Sequence, residues 1–368
     1  MPKNVNYAFF TNIPTPHKVH LFNLLSKKLE GDIRFYFLAK GSKKRRGWED
    51  SLKDAEFDYE ILDSIPFEIK ISGDPGYWFF PKKLPNLGEF KRIVISGGLT
   101  PVELFIALKG ISEGTGYIIW SEATNIFEGN IIFGILRIPI RFLLFSMADL
   151  VVCGSPSAKR HAKKLGARRT LLNFTTTDIK PFLYEKSHTG KCLNLVYLGR
   201  LIKRKRVDTI IRAIEGLNWV KFYVVGEGEE KENLRDLAEK LKVQVDFMGW
   251  LDYKLVPKLL RKFDILVVPS EKEVFGYVVI EAIASGVLPI VSDEVGAKDL
   301  LFEELIFKVG DPSSLREKIL NFMDPRKRME FVKRLKGERL PLATPEIWAD
   351  KFAKALKGYH LDRENFPP

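Results

Sequence analysis

A cluster of basic residues follows one apolar segment directly and is suited to binding an anion. The segment LNLVYLGR (193–200) ends in Gly199 and Arg200, and four cations come shortly after it, namely Lys203, Arg204, Lys205 and Arg206. Glycine lets a ligand approach the backbone closely, and Arg and Lys side chains can neutralise a diphosphate. A basic surface loop would have the same composition, so this cluster alone leaves both interpretations open.

Two glutamates flank the start of a predicted helix in the segment EKEVFGYVVIEA (271–282). Glu273 would lie in the loop before the helix, Gly276 just ahead of it, and Glu281 about one turn into it. A helix N-terminus presents free N–H groups to an anion, and a carboxylate beside that anion is unfavourable unless it binds hydroxyl groups, as sugars and ribose provide. An N-terminal helix charge beside an ordinary surface glutamate would give the same pattern.

Two further glycine-containing clusters also follow predicted strands. Gly226-Glu227-Gly228 is a short motif that by itself predicts a tight turn. The segment Gly296-Ala-Lys-Asp299 follows another strand and is predicted to open a helix.

These clusters are placed by an alternation of short apolar strands with longer amphipathic helices. In the first half the pattern predicts strands over 5–12, 33–40, 93–98 and 117–124 and helices over 19–29 and 101–108. In the second half it predicts strands over 193–200, 221–230 (with a glycine-rich turn), 245–250, 264–270 and 287–293 and helices over 207–215, 231–241, 253–262 and 278–284. This alternation predicts parallel sheets with right-handed crossovers. Ligands of such sheets bind beyond the carboxyl ends of the strands.

Composition narrows the class of protein. A chain of 368 residues predicts about two domains, and 45% hydrophobic residues exclude dominant disorder. Only two cysteines, Cys153 and Cys192, are present, which excludes a disulfide-stapled scaffold and a Cys-rich zinc module. The net charge of +12 favours an anionic partner: nucleic acid, a phosphate-bearing ligand or an anionic membrane surface. A single glutamine, Gln244, among many Lys and Glu resembles a heat-adapted, thermophile composition.

Five segments together resemble the C-terminal domain of family 4 glycosyltransferases, which have the GT-B architecture. In chain order they are GRLIKRKRVD, VVGEGEE, VDFMGWL, DILVVPSEKEVFGYVVIEAIASG and SDEVGAKDLL. The most specific of them is the pair of glutamates separated by seven residues that ends in EAIASG. The first half resembles the family more loosely, through PTPHKVHLFNLL, IIWSEAT and NFTTTD.

The resemblance implies a retaining, metal-independent transferase whose donor is a UDP- or GDP-sugar, bound as a substrate with no cofactor. It assigns the diphosphate to Arg200 and Lys205, the ribose hydroxyls to Glu281 and the donor sugar to Glu273. Further donor-binding positions follow from the same resemblance: Gly199, Gly226, Gly249, Trp250, Leu251, Gly276, Tyr277 and Val278. No metal ligands are expected, because the five histidines show no ligand spacing with carboxylates.

Three positions depart from the family pattern. Many members carry a histidine at a first-domain strand end that here reads Trp120-Ser121-Glu122, so Glu122 either takes a polar role toward donor or acceptor or caps a helix. The usual lysine-glycine pair reads Lys205-Arg206, and the glycine-rich N-terminal loop is replaced by 12–16, NIPTP.

The expected architecture is GT-B: two Rossmann-like doubly wound domains face a cleft, and a C-terminal helix crosses back to the first domain. The expected domains are 1–180, which binds the acceptor, 181–343, which binds the nucleotide sugar, and a returning segment over 344–368. In the last segment Ile347, Trp348, Phe352 and Leu356 fall at helical spacing.

The acceptor is expected to be a saccharide or a lipid-linked saccharide, and the protein to be cytoplasmic. The apolar stretch 131–145, with the aromatic residues 77–80 and with Lys82 and Lys83, is either a core helix or a patch that binds an anionic membrane peripherally. Two other functions remain open: a GT-B-fold sugar-nucleotide epimerase, and a nucleic-acid-binding protein supported by the charge and the basic loop 40–46. No nucleic-acid reader motif is recognisable, and the basic residues look scattered along the chain.

Overall fold

The chain forms two compact units in a computed structural model, which describes residues 5–41, 51–71, 74–97, 100–124, 131–185 and 193–358, with the side chains of 68–77 and 131–137 left aside. Unit 1 comprises Met1–Asp178 and Pro345–Pro368, and unit 2 comprises Ile179–Thr344. Cys192, two of the five histidines (His188 and His360) and most of the basic loop 40–46 lie outside the described residues.

Unit 1 is built on a parallel sheet of seven strands. Its elements up to the linker are β1 (Tyr7–Thr11), α1 (Pro16–Lys28), β2 (Ile33–Phe37), β3 (Asp58–Ile61), β4 (Ser64–Ile71), β5 (Asp74–Pro81), β6 (Arg92–Ser96), α2 (Pro101–Ser112), β7 (Gly116–Ser121), α3 (Ile131–Met147), β8 (Leu150–Cys153), α4 (Pro156–Lys164) and β9 (Thr170–Leu172). The sheet order is β3-β2-β1-β6-β7-β8-β9, while β4 and β5 form a separate antiparallel hairpin. The strands β1 to β3 are added in one direction across the sheet, and β6 to β9 are added in the opposite direction from β1, as in a doubly wound fold.

Unit 2 is built on a second parallel sheet, of six strands. Its elements are β10 (Leu193–Leu198), α5 (Val207–Ala213), β11 (Val220–Val225), α6 (Lys231–Lys240), β12 (Val245–Gly249), α7 (Val256–Leu260), β13 (Ile265–Val268), α8 (Tyr277–Ala284), β14 (Leu288–Ser292), β15 (Ile306–Phe307), α9 (Pro312–Asn321) and α10 (Pro325–Arg334). The sheet order is β12-β11-β10-β13-β14-β15. This is the strand order of a Rossmann sheet, with its reversal between β10 and β13.

Two helical layers cover the sheet of unit 1. Buried side chains of α2, α3 and α4 pack on one face, and those of α1 pack on the other. The final helix, α11 (Pro345–Leu356), joins the α1 side, where Trp348 and Phe352 are fully buried. The Trp348 ring contacts Trp120 of β7 at a centroid distance of 5.2 Å, and the amide of Asn173 donates to the Trp348 carbonyl oxygen at 3.0 Å. The C-terminal helix therefore completes the core of unit 1, although Ile347 on its apolar stripe stays partly exposed.

The sequence pattern missed several elements. The hairpin β4–β5, the strands β8 and β9 and the helix α4 had not been predicted. The helix expected over 253–262 is a 3₁₀ turn at Tyr253–Leu255 followed by the short α7. Pro257 in the first turn of α7 is compatible with a helix start there. Prolines within 64–81 concealed the hairpin, because proline is disfavoured inside a strand.

The stretch 131–145 lies in the helix α3, and its described part has both buried and exposed apolar side chains. Leu144 and Phe145 are buried in the core, whereas Phe142 and Leu143 are exposed. The side chains of 131–137 and of Tyr77 lie outside the described residues. In the part of the chain that is described, no helix is both long and apolar enough to cross a bilayer.

Candidate functional site

The basic and the acidic clusters leave the sheet of unit 2 at its point of reversal. β10 pairs with β11 on one side and with β13 on the other. The loop after β10 carries Arg200 and Lys205, and the loop after β13 carries Glu273. Neighbouring parallel strands that diverge at such a point leave a crevice at their carboxyl ends, where ligands of open α/β sheets bind. The strand order thus brings together two clusters that are far apart in sequence.

Glycine is required where the ends of β10, β11 and β12 meet. A Cβ atom on Gly226 would lie 1.9 Å from the carbonyl oxygen of Gly199, and one on Gly228 would lie 2.1 Å from that of Leu201. The N–H of Gly226 donates to the carbonyl oxygen of Gly249 at 2.8 Å. These glycines therefore allow backbone to pack on backbone, which a side chain at any of the tight positions would prevent.

Main-chain and side-chain hydrogen bonds tie the two loops to each other. The guanidinium of Arg204 donates to the carbonyl oxygen of Lys272 at 2.9 Å, and the N–H of Glu271 donates to the carbonyl oxygen of Arg204 at 2.9 Å. The guanidinium of Arg206 forms an ion pair with the Glu271 carboxylate at 2.8 Å. The basic cluster is consequently a positioned loop, packed on the acidic one, and differs from a freely solvated basic surface.

Lys205 forms an ion pair with Glu273 at the centre of this contact. The Lys205 side chain is 13% exposed and that of Glu273 24% exposed, so the pair is largely shielded from water. Burial is the main effect on Lys205 and lowers its pKa, Glu273 opposes that shift, and the charges of Arg204 and Arg200 lower the pKa further. An additional anion at this place would be attracted by Arg200 and Arg204 and would favour the charged form of Lys205.

Arg206 occupies the position at which the family pattern has glycine, and it adopts the backbone conformation that glycine favours. Its φ is 50° and its ψ is 40°, in the left-handed region. Its guanidinium is held by the carboxylates of Asp208 and Glu271. The turn that links Lys205 to α5 thus holds an arginine in the left-handed region, at a conformational cost of about 1 kcal/mol or more.

The acidic loop enters α8 through Gly276. This residue has a φ of 94°, and a Cβ atom there would lie 3.3 Å from Cγ of Glu273. Tyr277 and Val278 form the first positions of α8, where N–H groups lack a carbonyl partner within the helix. Glu273 thus lies next to the residue that opens α8 and is paired with the Lys205 ammonium.

The segment that begins at Gly296 holds the acidic loop through two backbone hydrogen bonds. The N–H of Gly296 donates to the carbonyl oxygen of Glu273 at 2.9 Å, and the N–H of Ala297 donates to that of Phe275 at 2.8 Å. The residues Gly296–Leu300 form a 3₁₀ helix of five residues, so a helix does open at Gly296, as the sequence predicted, and it is short. Its first N–H groups have no partner within the helix and are therefore free to hold the neighbouring loop.

Glu281 is buried in the second turn of α8. Its carboxylate accepts a hydrogen bond from the hydroxyl of Tyr253 at 2.7 Å, and the Tyr253 ring contacts that of Phe182. Burial raises the pKa of Glu281 to about 7, against the opposing effect of the Tyr253 hydrogen bond. A buried acidic group with a pKa near neutrality is a candidate for a functional position.

The remaining predicted donor positions line the same carboxyl edge of the sheet. Arg200 is exposed directly after β10, and its carbonyl oxygen accepts a hydrogen bond from the hydroxyl of Tyr197 at 2.8 Å. Gly249 ends β12 with a φ of 74°. Trp250 follows it with 62% of its surface exposed, and Leu251 is half-buried. An exposed indole beside a ligand crevice offers a flat apolar face.

Glu122 lies in unit 1, just beyond the carboxyl end of β7. Its carboxylate accepts a hydrogen bond from the hydroxyl of the buried Thr175 at 2.7 Å. Gly154, after β8, lies beside both, since a Cβ atom there would approach the Thr175 hydroxyl at 2.3 Å and Cγ of Glu122 at 3.2 Å. The structure therefore shows what orients Glu122, and its role stays a prediction.

Unit 2 brings Lys205 and Glu273 into contact, places Arg200 in the same basic loop and puts Glu281 on the helix that follows the acidic loop. Sequence reasoning missed Tyr253 and Thr175 because each acts on a partner that only the fold supplies. Among the described residues, no three His, Cys, Asp or Glu side chains are grouped to hold a metal ion.

Comparison with known proteins shows that part of the chain is similar to a known sequence family. Residues 185–336 match the family model described as glycosyl transferases group 1. LpsE of Rhizobium meliloti, named a lipopolysaccharide core biosynthesis glycosyltransferase, is 34% identical over 161 residues, which are 42% of this chain and 46% of LpsE. WclY of Escherichia coli, named an O-antigen biosynthesis glycosyltransferase, is 32% identical over 130 residues, which are 34% of each chain. The chain thus spans less than half the length of these two relatives.

Solved structures resemble nearly the whole chain. The crystal structure of Anabaena HepE in complex with UDP matches with a TM-score of 0.74 and 15% identity, covering 96% of this chain and 100% of HepE. At this identity the likeness establishes the fold alone. It confirms the predicted α/β architecture of GT-B type, with two parallel sheets.

Proposed function

We propose that this protein is a retaining glycosyltransferase of family 4 and hexosyl type, which transfers a sugar from a nucleotide sugar to a saccharide or lipid-linked acceptor without a metal ion. The observation that carries the proposal is the Lys205–Glu273 ion pair at the strand reversal of unit 2, followed in the chain by the buried Glu281. The family match over 185–336 includes all of these residues and supports the same conclusion.

Unit 2 would bind the donor. Arg200, Lys205 and the first N–H groups of α8 would meet the diphosphate, and their combined positive charge would do the work that a divalent cation does in other transferases. Glu281 would accept hydrogen bonds from the ribose hydroxyls. Trp250, with Gly249 and Leu251, would line the nucleobase. HepE was solved with UDP and with UDP-glucose, which makes UDP-sugars the first donors to test, before GDP-sugars.

The reaction exchanges one bond at the anomeric carbon of the donor sugar. The bond from that carbon to the β-phosphate oxygen breaks, and its electron pair leaves with the nucleoside diphosphate. The acceptor hydroxyl attacks from the same face, which retains the configuration, and its proton passes to the departing phosphate oxygen. Arg200 and Lys205 stabilise the charge that develops on the diphosphate, while Glu273, released from Lys205, turns to the sugar hydroxyls.

Unit 1 would bind the acceptor, with Glu122 as a polar contact held by Thr175. The relatives LpsE and WclY are named for the biosynthesis of lipopolysaccharide core and O-antigen, and these names favour a saccharide carried on a lipid. The cytoplasmic location expected from the sequence stays a prediction.

The test is a thermal-shift screen of UDP-, GDP- and ADP-sugars, followed by detection of the products of turnover in the presence of EDTA. A ligand that binds the native state raises its melting temperature. We expect one sugar nucleotide to stabilise the protein and to yield nucleoside diphosphate and a glycosylated acceptor in equal amounts, with the anomeric configuration retained by NMR.

Other outcomes separate the alternative functions. Conversion of the sugar nucleotide to its epimer without transfer would indicate an epimerase on the same fold. Salt-sensitive binding of DNA or RNA with no response to any sugar nucleotide would indicate a nucleic-acid-binding protein. Either result overturns the proposal.

A further inference from the structure

The outer faces of two neighbouring helices in unit 1 expose large apolar side chains. Six of them are between 41% and 50% exposed, three on α2 and three on α3: Phe105, Leu108, Ile111, Phe142, Leu143 and Met147. On α2 they recur every three residues and share one face. On α3, Phe142 and Leu143 are adjacent, and Met147 follows Leu143 by four residues. An apolar area of this kind on the outside of a monomer usually marks a binding surface.

The two sets belong to one continuous layer. α2 and α3 are packed against each other, and the buried sides of both helices point into the same core beneath them. On the far side of α3, the ring of Phe142 lies against Gly166, where an added Cβ atom would approach it at 3.0 Å. The apolar face therefore continues directly to the segment that joins α4 to β9.

That segment and α4 are strongly basic. Residues 156–169 contain six Lys and Arg and no Asp or Glu. Four of the six are exposed and form no ion pair with a carboxylate of the described residues: Lys163, Lys164, Arg168 and Arg169. The sequence had suggested that basic residues are scattered along the chain. In the structure, α4 and its following loop place these four cations next to the exposed apolar side chains of α3.

Few carboxylates offset this charge. On α2, Glu103 is buried in the capping box of the helix, and Glu113 just beyond its end is paired with Lys109. Asp149 is an exposed carboxylate at the end of α3. The helical layer thus presents an apolar face with a cationic border, which we call the apolar–cationic face.

We propose that the apolar–cationic face, formed by α2, α3 and α4 with its following loop, binds the surface of an anionic lipid bilayer. Exposed Phe, Leu, Ile and Met side chains enter the interfacial region, while the flanking Lys and Arg contact lipid phosphates. The charge pattern selects this occupant. A second copy of the chain would bring two cationic borders together, and a nucleic acid would leave the apolar side chains unused.

This surface differs from the one suggested by sequence. The aromatic residues Trp78, Phe79 and Phe80 are partly buried against the core of unit 1, and Lys82 is paired with Asp63. The described cations beside Phe142 of α3 are those of α4 and its loop.

The test is flotation of the full chain with vesicles of phosphatidylcholine alone and of phosphatidylcholine with about one third phosphatidylglycerol, at low salt. We expect binding to the anionic vesicles, little to the neutral ones, and weakening at high salt as charges become screened. A variant with four Ala substitutions removes the exposed cations: K163A, K164A, R168A and R169A. Its affinity should fall roughly 10²- to 10³-fold, since each cation near an anionic surface contributes about fivefold.

A charge-matched control removes four exposed lysines elsewhere in unit 1, namely K27A, K40A, K91A and K357A. This control has the same net charge as the first variant. Its affinity for anionic vesicles should fall less than about tenfold if the contact is local. The apolar contribution is tested separately by F142S with L143S, which keeps every cation and should weaken binding on the order of tenfold. Retained melting temperature and retained donor-induced stabilisation show that each variant is folded.

Three results would overturn the proposal. The first is absence of binding to anionic vesicles at low salt. The second is an equal loss in the two charge variants, which would mean that net charge alone drives adsorption. The third is retention of full vesicle affinity by F142S/L143S together with strong binding of single-stranded nucleic acid, which would assign the cations to a polyanion. None of these depends on sugar transfer, so the proposed function can fail or stand independently.

Discussion

The ammonium of Lys205 is paired with the carboxylate of Glu273, and this contact joins the loops that leave two neighbouring strands of unit 2 at their point of reversal. A donor diphosphate that binds Lys205 would compete with the carboxylate for the ammonium. The ion pair therefore keeps the cation ordered and compensated before a ligand arrives. Exchange of one anionic partner for another costs less than the exposure of a bare buried charge.

The proposed role of the basic loop predicts a large effect of single substitutions. R200A and K205A should each lower kcat/KM by roughly 10²- to 10³-fold, the scale of removing one donor to a developing oxyanion. K221A, at an exposed position of β11 in the same unit, serves as the control and should leave kcat/KM unchanged. Steady-state kinetics with saturating acceptor are the measurement. Near-normal turnover of both loop variants would remove these side chains from the mechanism.

A charge swap separates a structural role of the ion pair from a catalytic one. K205E alone should lower the melting temperature by several degrees, because two carboxylates would then face each other in a shielded place. K205E with E273K restores an ion pair and should recover most of the stability. It should remain inactive, since a carboxylate would occupy the diphosphate position. Recovery of activity together with stability would show that the pair only holds the loops together.

The raised pKa of Glu281 predicts a specific dependence of stability on pH. In the folded state its pKa is about 7, above the ordinary glutamate value of 4.5, so between these pH values the folded protein holds a proton that the unfolded chain has lost. The resulting stabilisation is complete below about pH 4.5 and is lost as the pH rises through about 7. E281Q should lack this loss. Between about pH 4.5 and pH 7 its free energy of unfolding should therefore rise by on the order of 3 kcal/mol relative to that of the wild type.

Urea unfolding of both proteins at several pH values measures this difference. Y253F provides an internal check, because the Tyr253 hydrogen bond lowers the pKa of Glu281 and its removal should move the midpoint to higher pH. Y223F, which alters a tyrosine packed on Phe263 in the same unit, should leave the midpoint in place. Parallel curves for the wild type and E281Q would contradict the assignment.

Thr175 should affect transfer through Glu122. T175V keeps the shape of this buried side chain and removes the hydroxyl that donates to Glu122, at a cost of about 1 kcal/mol in stability. We expect a raised KM for the acceptor, with unchanged stabilisation by the donor, and recovery in T175S. T176V alters the neighbouring buried threonine, whose hydroxyl donates to the carbonyl of Thr177, and should change stability alone. Equal acceptor KM values in T175V and wild type would leave Glu122 with a purely local structural role.

The left-handed backbone of Arg206 predicts an unusual order of stabilities. R206G relieves the conformational cost and loses the ion pairs with Asp208 and Glu271, each worth about 0 to 1 kcal/mol when exposed to solvent. The two effects should nearly cancel. R206V adds a β-branched side chain at a positive φ and should be less stable than R206G by about 1 to 2 kcal/mol. Chemical unfolding gives the comparison, and equal stability of the two variants would contradict the conformational argument.

Much of the fold could be predicted from local patterns. Strands β10, β11, β13 and β14 are short apolar runs, each followed by glycine or polar residues, and each was predicted within a few positions of its observed bounds. The apolar stripe of α11 predicted a packed helix, and Trp348 and Phe352 are indeed buried. Such features can be recognised because the residues on the buried face of a helix or strand are apolar and recur with the period of that element.

Other features required the tertiary structure because they join distant residues. The basic character of α4 was overlooked, and only the packing of α3 on the Gly166 loop brings that charge beside exposed Phe142. Similarly, no local pattern indicated that Tyr253 donates to Glu281 or that Thr175 donates to Glu122. A hydrogen bond between segments far apart in sequence leaves no periodic signal in either of them.

For this protein the sequence by itself determined which residues stand at the ends of strands: the basic loop after β10, the acidic loop after β13 and the glycines between them. Local propensity and apolar periodicity suffice for that, because strand and turn formation involve near neighbours. Only the tertiary structure decided that β10 lies beside β13, so that Lys205 meets Glu273. Strand order depends on crossover connections and on the burial of whole sheet faces, which no single segment encodes.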